Sequence, residues 1–553
     1  MDHRMYYICK YTPLELAAGF GIEMRPLTSV PMRSSCGECV HPNLCAYGKG
    51  LLERALTGEV EALFLVDCCD VVRRIYDVLA AKEDGMFLYL MHLPHKDGIR
   101  EQEIFEKELR KAAEAFAAFT GRTFDEEKAR IARRQGIEEN RDFDEDALVL
   151  TGAHGGTALA EEIELVTGFP VRDETCAGFR RLGEDRGGDF FRSYAAALLR
   201  QRRPCMRMQF QDAPTKVRGT ICHTMKFCDF YGFRYRALRE ESGPLLKIET
   251  DGTGESAGQR KTRLEAFREL LTRDRDEGKP SRKGYVCGID SGSATCAVVI
   301  LDETKRIVAS AVVPTGARVR ESADAALAQA LECAGLSKDD LVATVTTGYG
   351  RNHLAHSDSA ITEISCHARG AAKLHPGVRT VIDIGGQDSK VIVLDTDGKP
   401  ARFVMNDQCA AGTGRFLETM AKVLRLDLDE MGAMPFDSQK AVTISSMCTV
   451  FAESEVVTRI AENTDVDAIV SGLDLSVASK TVSLVRRARG EGPYMMTGGV
   501  AQNRGIVDAL CEALGEKIHV PAEAQICGAL GAALFAAENK CTENGYTRDT
   551  SSV

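Results

Sequence analysis

Short apolar runs bounded by turn residues recur through the first half of the chain: Ala62-Leu-Phe-Leu-Val66, Met86–Leu90 and Ala147–Leu150. They are the length of buried strands, and segments with helical spacing lie between and after them. After Ala147–Leu150 comes a glycine-rich turn, Gly152-Ala-His-Gly-Gly156, and a helical segment ending at Thr167-Gly168. This alternation predicts two small parallel α/β units that meet near the charged stretch Glu138–Asp146. A last helical pattern (Leu264, Phe267, Leu270, Leu271) leads into Thr272–Gly284, which is charged, carries Gly and Pro, and reads as a linker. Beyond it, Tyr285–Ser291 and Ala297–Leu301 predict a β-hairpin, and Thr380–Leu394 repeats the design. Two further helices are predicted by the apolar sets Phe416, Leu417, Met420, Leu424 and Phe451, Val456, Val457, Ile460.

The length, 553 residues, implies roughly two to four domains. The boundaries expected are 1–145, 146–271, a linker 272–284, 285–538 and a disordered tail 539–553. No run reaches the length of a membrane span and the N-terminus lacks the apolar core of a signal peptide, so a cytoplasmic protein is expected. A formal charge of −11 argues against a nucleic-acid surface. In a reducing compartment the 19 cysteines point to metal, redox or core roles rather than disulfides.

Both hairpins place an aspartate at a strand end beside a tight Gly/Ser turn, whose backbone N–H groups can wrap phosphate oxygens. The first offers Gly288, Asp290, Ser291, Gly292, Ser293 and Thr295; the second offers Asp383, Gly385, Gly386, Gln387, Asp388, Ser389 and Lys390. A third glycine segment with Gly498, Gly499, Val500 and Asn503 suits the adenosine. Asp290, Asp383 and Gln387 are the candidate catalytic groups, with the two aspartates holding Mg²⁺ directly or through water. There is no Gly-x4-Gly-Lys-Ser/Thr loop and no Gly-x-Gly-x-x-Gly after a strand.

A lone cysteine precedes each of the two predicted helices, Cys409 and Cys448. A helix N-terminus favours a thiolate and an anionic cluster bound to it. Two thiolates are half of what a [4Fe–4S] cluster uses, so two copies of the chain would share one. In the first half, Cys36-Gly-Glu-Cys39 with Cys45, then Cys68-Cys69 after a strand, and Cys228 could converge on a zinc or Fe–S centre. Further thiols stand at 176, 205 and 222.

At Gly288–Ser293, Thr346–Arg351, Glu363–Gly370, the Asp383 loop, both cysteine segments and the Gly498 loop, residues 285–538 resemble the activator ATPases (archerases) of 2-hydroxyacyl-CoA dehydratases. That resemblance implies the acetate-kinase/sugar-kinase/Hsp70/actin fold, ATP with Mg²⁺, and a homodimer holding one [4Fe–4S] cluster through Cys409 and Cys448. It further implies ferredoxin or flavodoxin as electron donor and a dehydratase or reductase as acceptor. Ala294 and Cys296 stand where that family usually has Thr. Tyr11–Phe20, His41–Tyr47, Cys69–Asp77, Lys226–Asp229 and Gly258–Phe267 resemble the 2-hydroxyglutaryl-CoA dehydratase D-component. This implies paired Rossmann-like units with Cys45, Cys69 and Cys228 as cluster ligands. The surplus cysteines, with Cys36, Cys39 and Cys68 foremost, are similar to those of double-cubane relatives. Arg73, Arg74, His95 and Lys96 read as solvated or structural. Two other classes fit the ATPase loops: a sugar or acetate kinase, and a non-catalytic ATP or redox sensor.

Overall fold

A computed structural model describes residues 3–27, 44–82, 85–138, 146–178, 180, 182, 185, 187–201, 208, 217–228, 231, 235, 238, 243–250, 257–272, 284–354, 357–406, 411–444 and 449–538. The chain divides into two compact units, Met1–Leu271 and Thr272–Val553.

The first unit holds two four-stranded sheets. One is formed by β1 (His3–Tyr7), β2 (Ile22–Pro26), β3 (Ala62–Val66) and β4 (Phe87–Met91), in the order β2-β1-β3-β4. The other uses β5 (Leu148–Gly152), β6 (Val171–Asp173), β7 (Gly219–Met225) and β8 (Leu245–Thr250), in the order β6-β5-β7-β8. Every pairing is parallel, and the two sheets share one topology. The parallel arrangement follows from β3 and β5, which are buried along their whole length and so need cover on both faces. Helix Gly156–Thr167 ends where predicted, at Gly168 in the left-handed region with φ 73°. A buried charge in this unit is matched: Glu15 accepts hydrogen bonds from Arg180 (2.9 Å) and Tyr194.

The second unit also repeats itself. Its first sheet has β9 (Tyr285–Ser291), β10 (Thr295–Leu301), β11 (Ile307–Pro314), β12 (Leu341–Thr347) and β13 (Ser359–Ala360), ordered β11-β10-β9-β12-β13. Its second has β14 (Thr380–Ile384), β15 (Ser389–Leu394), β16 (Pro400–Asn406), β17 (Tyr494–Thr497) and β18 (Ile518–His519), ordered β16-β15-β14-β17-β18. In each sheet the first three strands are an antiparallel meander and the last two join in parallel. This duplicated sheet is the actin-like ATPase and sugar-kinase fold. Helix Cys527–Ala537 is buried almost throughout and lies on β9. Gly288 lets it do so, because a Cβ there would run into the backbone of Ala529 and Ala533. Helix Val466–Ala488 is long and apolar enough to cross a membrane, the only such helix among the described residues, and it is mostly buried inside this unit.

Candidate functional site

Strand register assembles the centre of the second unit. Asp383 on β14 pairs with Lys390 on β15 and with Thr497 on β17. All three side chains therefore leave the sheet on one face. Thr497 Oγ1 donates to Asp383 Oδ1 at 3.0 Å, and Lys390 Nζ lies 3.3 Å from Oδ2. From the first sheet Asp290 approaches, and His367 on helix Glu363–Leu374 stands between the two carboxylates. Its Nδ1 lies 3.4 Å from Asp383 and its Nε2 3.8 Å from Asp290. One turn earlier on that helix, Glu363 reaches Lys390 Nζ at 2.7 Å, and Asp388 adds a third carboxylate at 2.9 Å.

Four carboxylates thus share one ammonium and one imidazole. Burial and the charge of Glu363 push Asp290 up to about 7. Burial also tends to raise Asp383, but His367, Lys390 and Thr497 outweigh it and hold that carboxyl below its usual range. Lys390 is stripped of water, yet Asp388, Glu363 and Asp383 hold its pKa well above the ordinary value.

The two hairpin turns meet next to this cluster: a Cβ on Gly386 would come 2.5 Å from that of Ala294. Ser291 is buried, and Gly348, at φ 89°, closes over it, leaving no room for a side chain between Ser291 and Asp290. Gly292, Ser293, Thr295, Gly385 and Asp388 are half-buried around the turns, whereas Gln387 and Gly499 are exposed. Gly498, at φ 87°, packs directly on Ile384 and lies beside Asp383. Such a cradle of N–H groups, hydroxyls and carboxylates can take a triphosphate with its Mg²⁺.

Five residues expected to touch the nucleotide have other partners. Gly288 is the helix-packing glycine on β9. Val500 is buried in the core, and Asn503 Oδ1 caps helix Arg504–Leu514 by accepting from Ile506 N. Ser389 Oγ donates to Gly412 O at 3.3 Å. The Lys390 ammonium is held by carboxylates rather than left for phosphate. His367, Glu363 and Thr497 were not singled out as site residues. The i,i+4 spacing of Glu363 and His367 on one helix was the available signal.

Cys409 and Cys448 lie outside the described residues, but the helices after them are present. Helix Gly414–Leu424 starts on the turn of the second hairpin, with Gly414 N and Arg415 N donating to Gly385 O and Gly386 O at 2.9 Å. Its Phe416, Leu417 and Met420 are buried as expected. In helix Thr449–Ala461 only Ala452 and Val456 are buried, while Val450, Phe451, Val457 and Ile460 are exposed. The predicted helix is present, and its Phe451, Val457 and Ile460 form an exposed apolar stripe. Periodicity marks a face that wants cover and does not say what supplies it.

In the first unit the thiols gather at helix starts and strand ends. Cys45 is the N-cap of helix Ala46–Leu56, Cys69 that of Asp70–Ala80 directly after β3, and Cys228 follows β7. Burial pushes Cys45 up to about 11, and the nearby Cys69 and Cys228 push the same way against the N–H groups of Gly48 and Tyr47. Three such thiolates repel one another unless a cationic centre lies among them, which is the chemistry of an Fe–S ligand set. Among the described residues no three His, Cys, Asp or Glu side chains are close enough to hold a single metal ion. A cubane holds its ligating sulfurs further apart than one ion does. Cys68 is buried and lies near Tyr47, as do Cys176, Cys9 and Cys45. Cys222 is in the interior of β7 and is pushed by burial to about 12. Cys36, Cys39 and Cys205 lie outside the described residues. Arg73 and Arg74 form ion pairs with Asp67 and Asp77, in keeping with structural roles.

Residues 287–536 match the BadF/BadG/BcrA/BcrD ATPase family, and residues 9–148 and 140–271 match the 2-hydroxyglutaryl-CoA dehydratase D-component. A 2-hydroxyisocaproyl-CoA dehydratase activator from Clostridioides difficile is 46% identical over 252 residues, which are 46% of this chain and 94% of the relative. An activator of lactoyl-CoA dehydratase from Anaerotignum propionicum is 48% identical over 254 residues, 46% of this chain and 98% of its own. The crystal structure of the Acidaminococcus fermentans (R)-2-hydroxyglutaryl-CoA dehydratase component A, 45% identical, covers 46% of this chain and 98% of its own, with a TM-score of 0.44.

Proposed function

Because the chain belongs through its second unit to the BadF/BadG/BcrA/BcrD ATPase family, and carries a D-component half on the same polypeptide, we propose that it is an ATP-dependent electron injector joined to its own Fe–S acceptor. The observation that carries this reading is the gathering of Cys45, Cys69 and Cys228 in the first unit of a chain whose second unit is an ATPase. Asp290 and Asp383 would hold Mg²⁺, with the glycine turns around the phosphates. Cys409 and Cys448 would hold half of a [4Fe–4S] cluster shared by two copies, and Cys45, Cys69 and Cys228 a second Fe–S or double-cubane centre. Bound there, such clusters supply one-electron carriers of low potential. Ferredoxin or flavodoxin would be the donor, and a dehydratase or reductase could replace the chain's own first unit as acceptor.

The exposed stripe of Val450, Phe451, Val457 and Ile460 begins next to Cys448 and supports pairing of two copies at that helix. The backbone bonds from Gly414 and Arg415 to the second phosphate turn support a helix that follows the nucleotide. Anaerobic purification with iron and sulfide counts, and EPR with and without ATP, tests the proposal. About four irons per dimer would confine the metal to the ATPase half, and near twenty would match a double cubane in each chain as well. Cys409→Ser should remove only the shared cluster. Iron-free protein from a strictly anaerobic preparation would sink the reading.

A further inference from the structure

The nucleotide site has a charge imbalance that its described side chains do not correct. Asp290, Asp383, Asp388 and Glu363 surround one ammonium, that of Lys390, which three of them already bind, and the single imidazole of His367. Arg351, from the loop over Ser291, is buried with its guanidinium donating to Gly348 O at 3.1 Å. The Lys480 stem packs beneath Gly412, and its ammonium lies 5.9 Å from the Phe416 ring. A triphosphate brought against these acids needs compensating positive charge beyond one Mg²⁺.

Arg415 is placed to supply it. Its N–H is bonded to Gly386 O, and Gly414 before it is so close to that turn that a Cβ would lie 3.3 Å from Gly386 Cα. Gly386 in turn abuts Ala294 of the first hairpin, so Arg415 begins beside the point where both phosphate turns meet. The residue is exposed, and its guanidinium forms no hydrogen bond or ion pair among the described residues. A planar, permanently charged fork suits a terminal phosphate.

We propose that Arg415 binds the terminal phosphate of the nucleotide and makes the site discriminate ATP from ADP. The proposal rests on the ATPase reading above. It assigns to the first turn of helix Gly414–Leu424 a direct contact with the one group that hydrolysis removes.

Calorimetric titration of the full-length protein with Mg·ATP and Mg·ADP provides the test, using wild type, Arg415→Gln and Arg415→Lys. The glutamine variant should lose at least about ten-fold in ATP affinity and no more than about two-fold in ADP affinity, as expected for one charge-assisted bond. The lysine variant should fall between, because it keeps the charge and loses the fork. Equal losses for both nucleotides would mark Arg415 as merely structural, and unchanged affinities would dismiss it; either overturns the proposal. Wild-type protein that fails to bind ATP would instead overturn the ATPase reading.

Discussion

At the end of β14, an aspartate meets a lysine, a threonine and a histidine delivered by strand register and by a helix face, and these groups hold its carboxylate within the protein. Around the ends of β3 and β7, thiols are brought near one another, and burial first, with the neighbouring Cys69 and Cys228 second, raises the pKa of Cys45. Both centres lie at strand ends of sheets that repeat one topology within their unit. The carboxylate site is thus ordered by its own salt bridges. The metal-free thiols avoid mutual repulsion by keeping their protons, and a bound cluster would hold them as thiolates.

Lys390→Met should break the contrast most strongly. It strands Asp383, Asp388 and Glu363 in a buried space, and unfolding of the second unit should become easier by about 3–5 kcal/mol at pH 8. Chemical denaturation at several pH values checks this. Part of the loss should return as the pH falls, because the orphaned carboxyls then bind protons in the folded state. A flat, undiminished stability would mean that Lys390 is not the keystone of the site.

A smaller effect is expected from Asp290. Its carboxyl, raised to about 7, is protonated below that pH and ionised above it. Mg·ATP affinity of the wild type should therefore rise with pH through neutrality, by up to about ten-fold per unit. Asp290→Asn should bind weakly and without that slope. If the variant keeps the wild-type pH profile, the titrating group lies elsewhere.

The smallest effect belongs to the thiol site. In metal-free protein Cys45→Ala should change stability by only about 1 kcal/mol, since an un-ionised thiol behaves as a small apolar group. In iron-loaded protein it should lower the iron content while Mg·ATP binding stays intact. A large loss of metal-free stability would erase the proposed difference between the two centres.

Much of this was legible in the residues. Ala62–Val66 reads as a buried strand and is β3, and the run Met86–Leu90 appears one residue later as β4. Both Asp–Gly hairpins are visible because tight turns demand glycine and buried strands demand apolar runs, which are local requirements. His367 escaped because nothing near it in sequence says that its imidazole meets Asp383 sixteen residues later and Asp290 from the other sheet. Val500 and Asn503 were assigned to adenosine, yet one fills the core and the other caps a helix, since a glycine segment does not reveal which way its neighbours point. The apolar spacing at Phe451 predicts a helix that is present, while the exposure of its stripe is visible only in the structure.

By itself, then, the order of residues determines the elements, the turns and the types of chemistry on offer, because each depends on neighbours within a few positions. Only the tertiary structure decided that Lys390 is spent on three carboxylates, that His367 stands between Asp383 and Asp290, and that Arg415 starts on the Gly385–Gly386 turn. Those outcomes depend on charges and backbones brought together from distant parts of the chain, and Coulomb forces and packing act through space rather than along sequence.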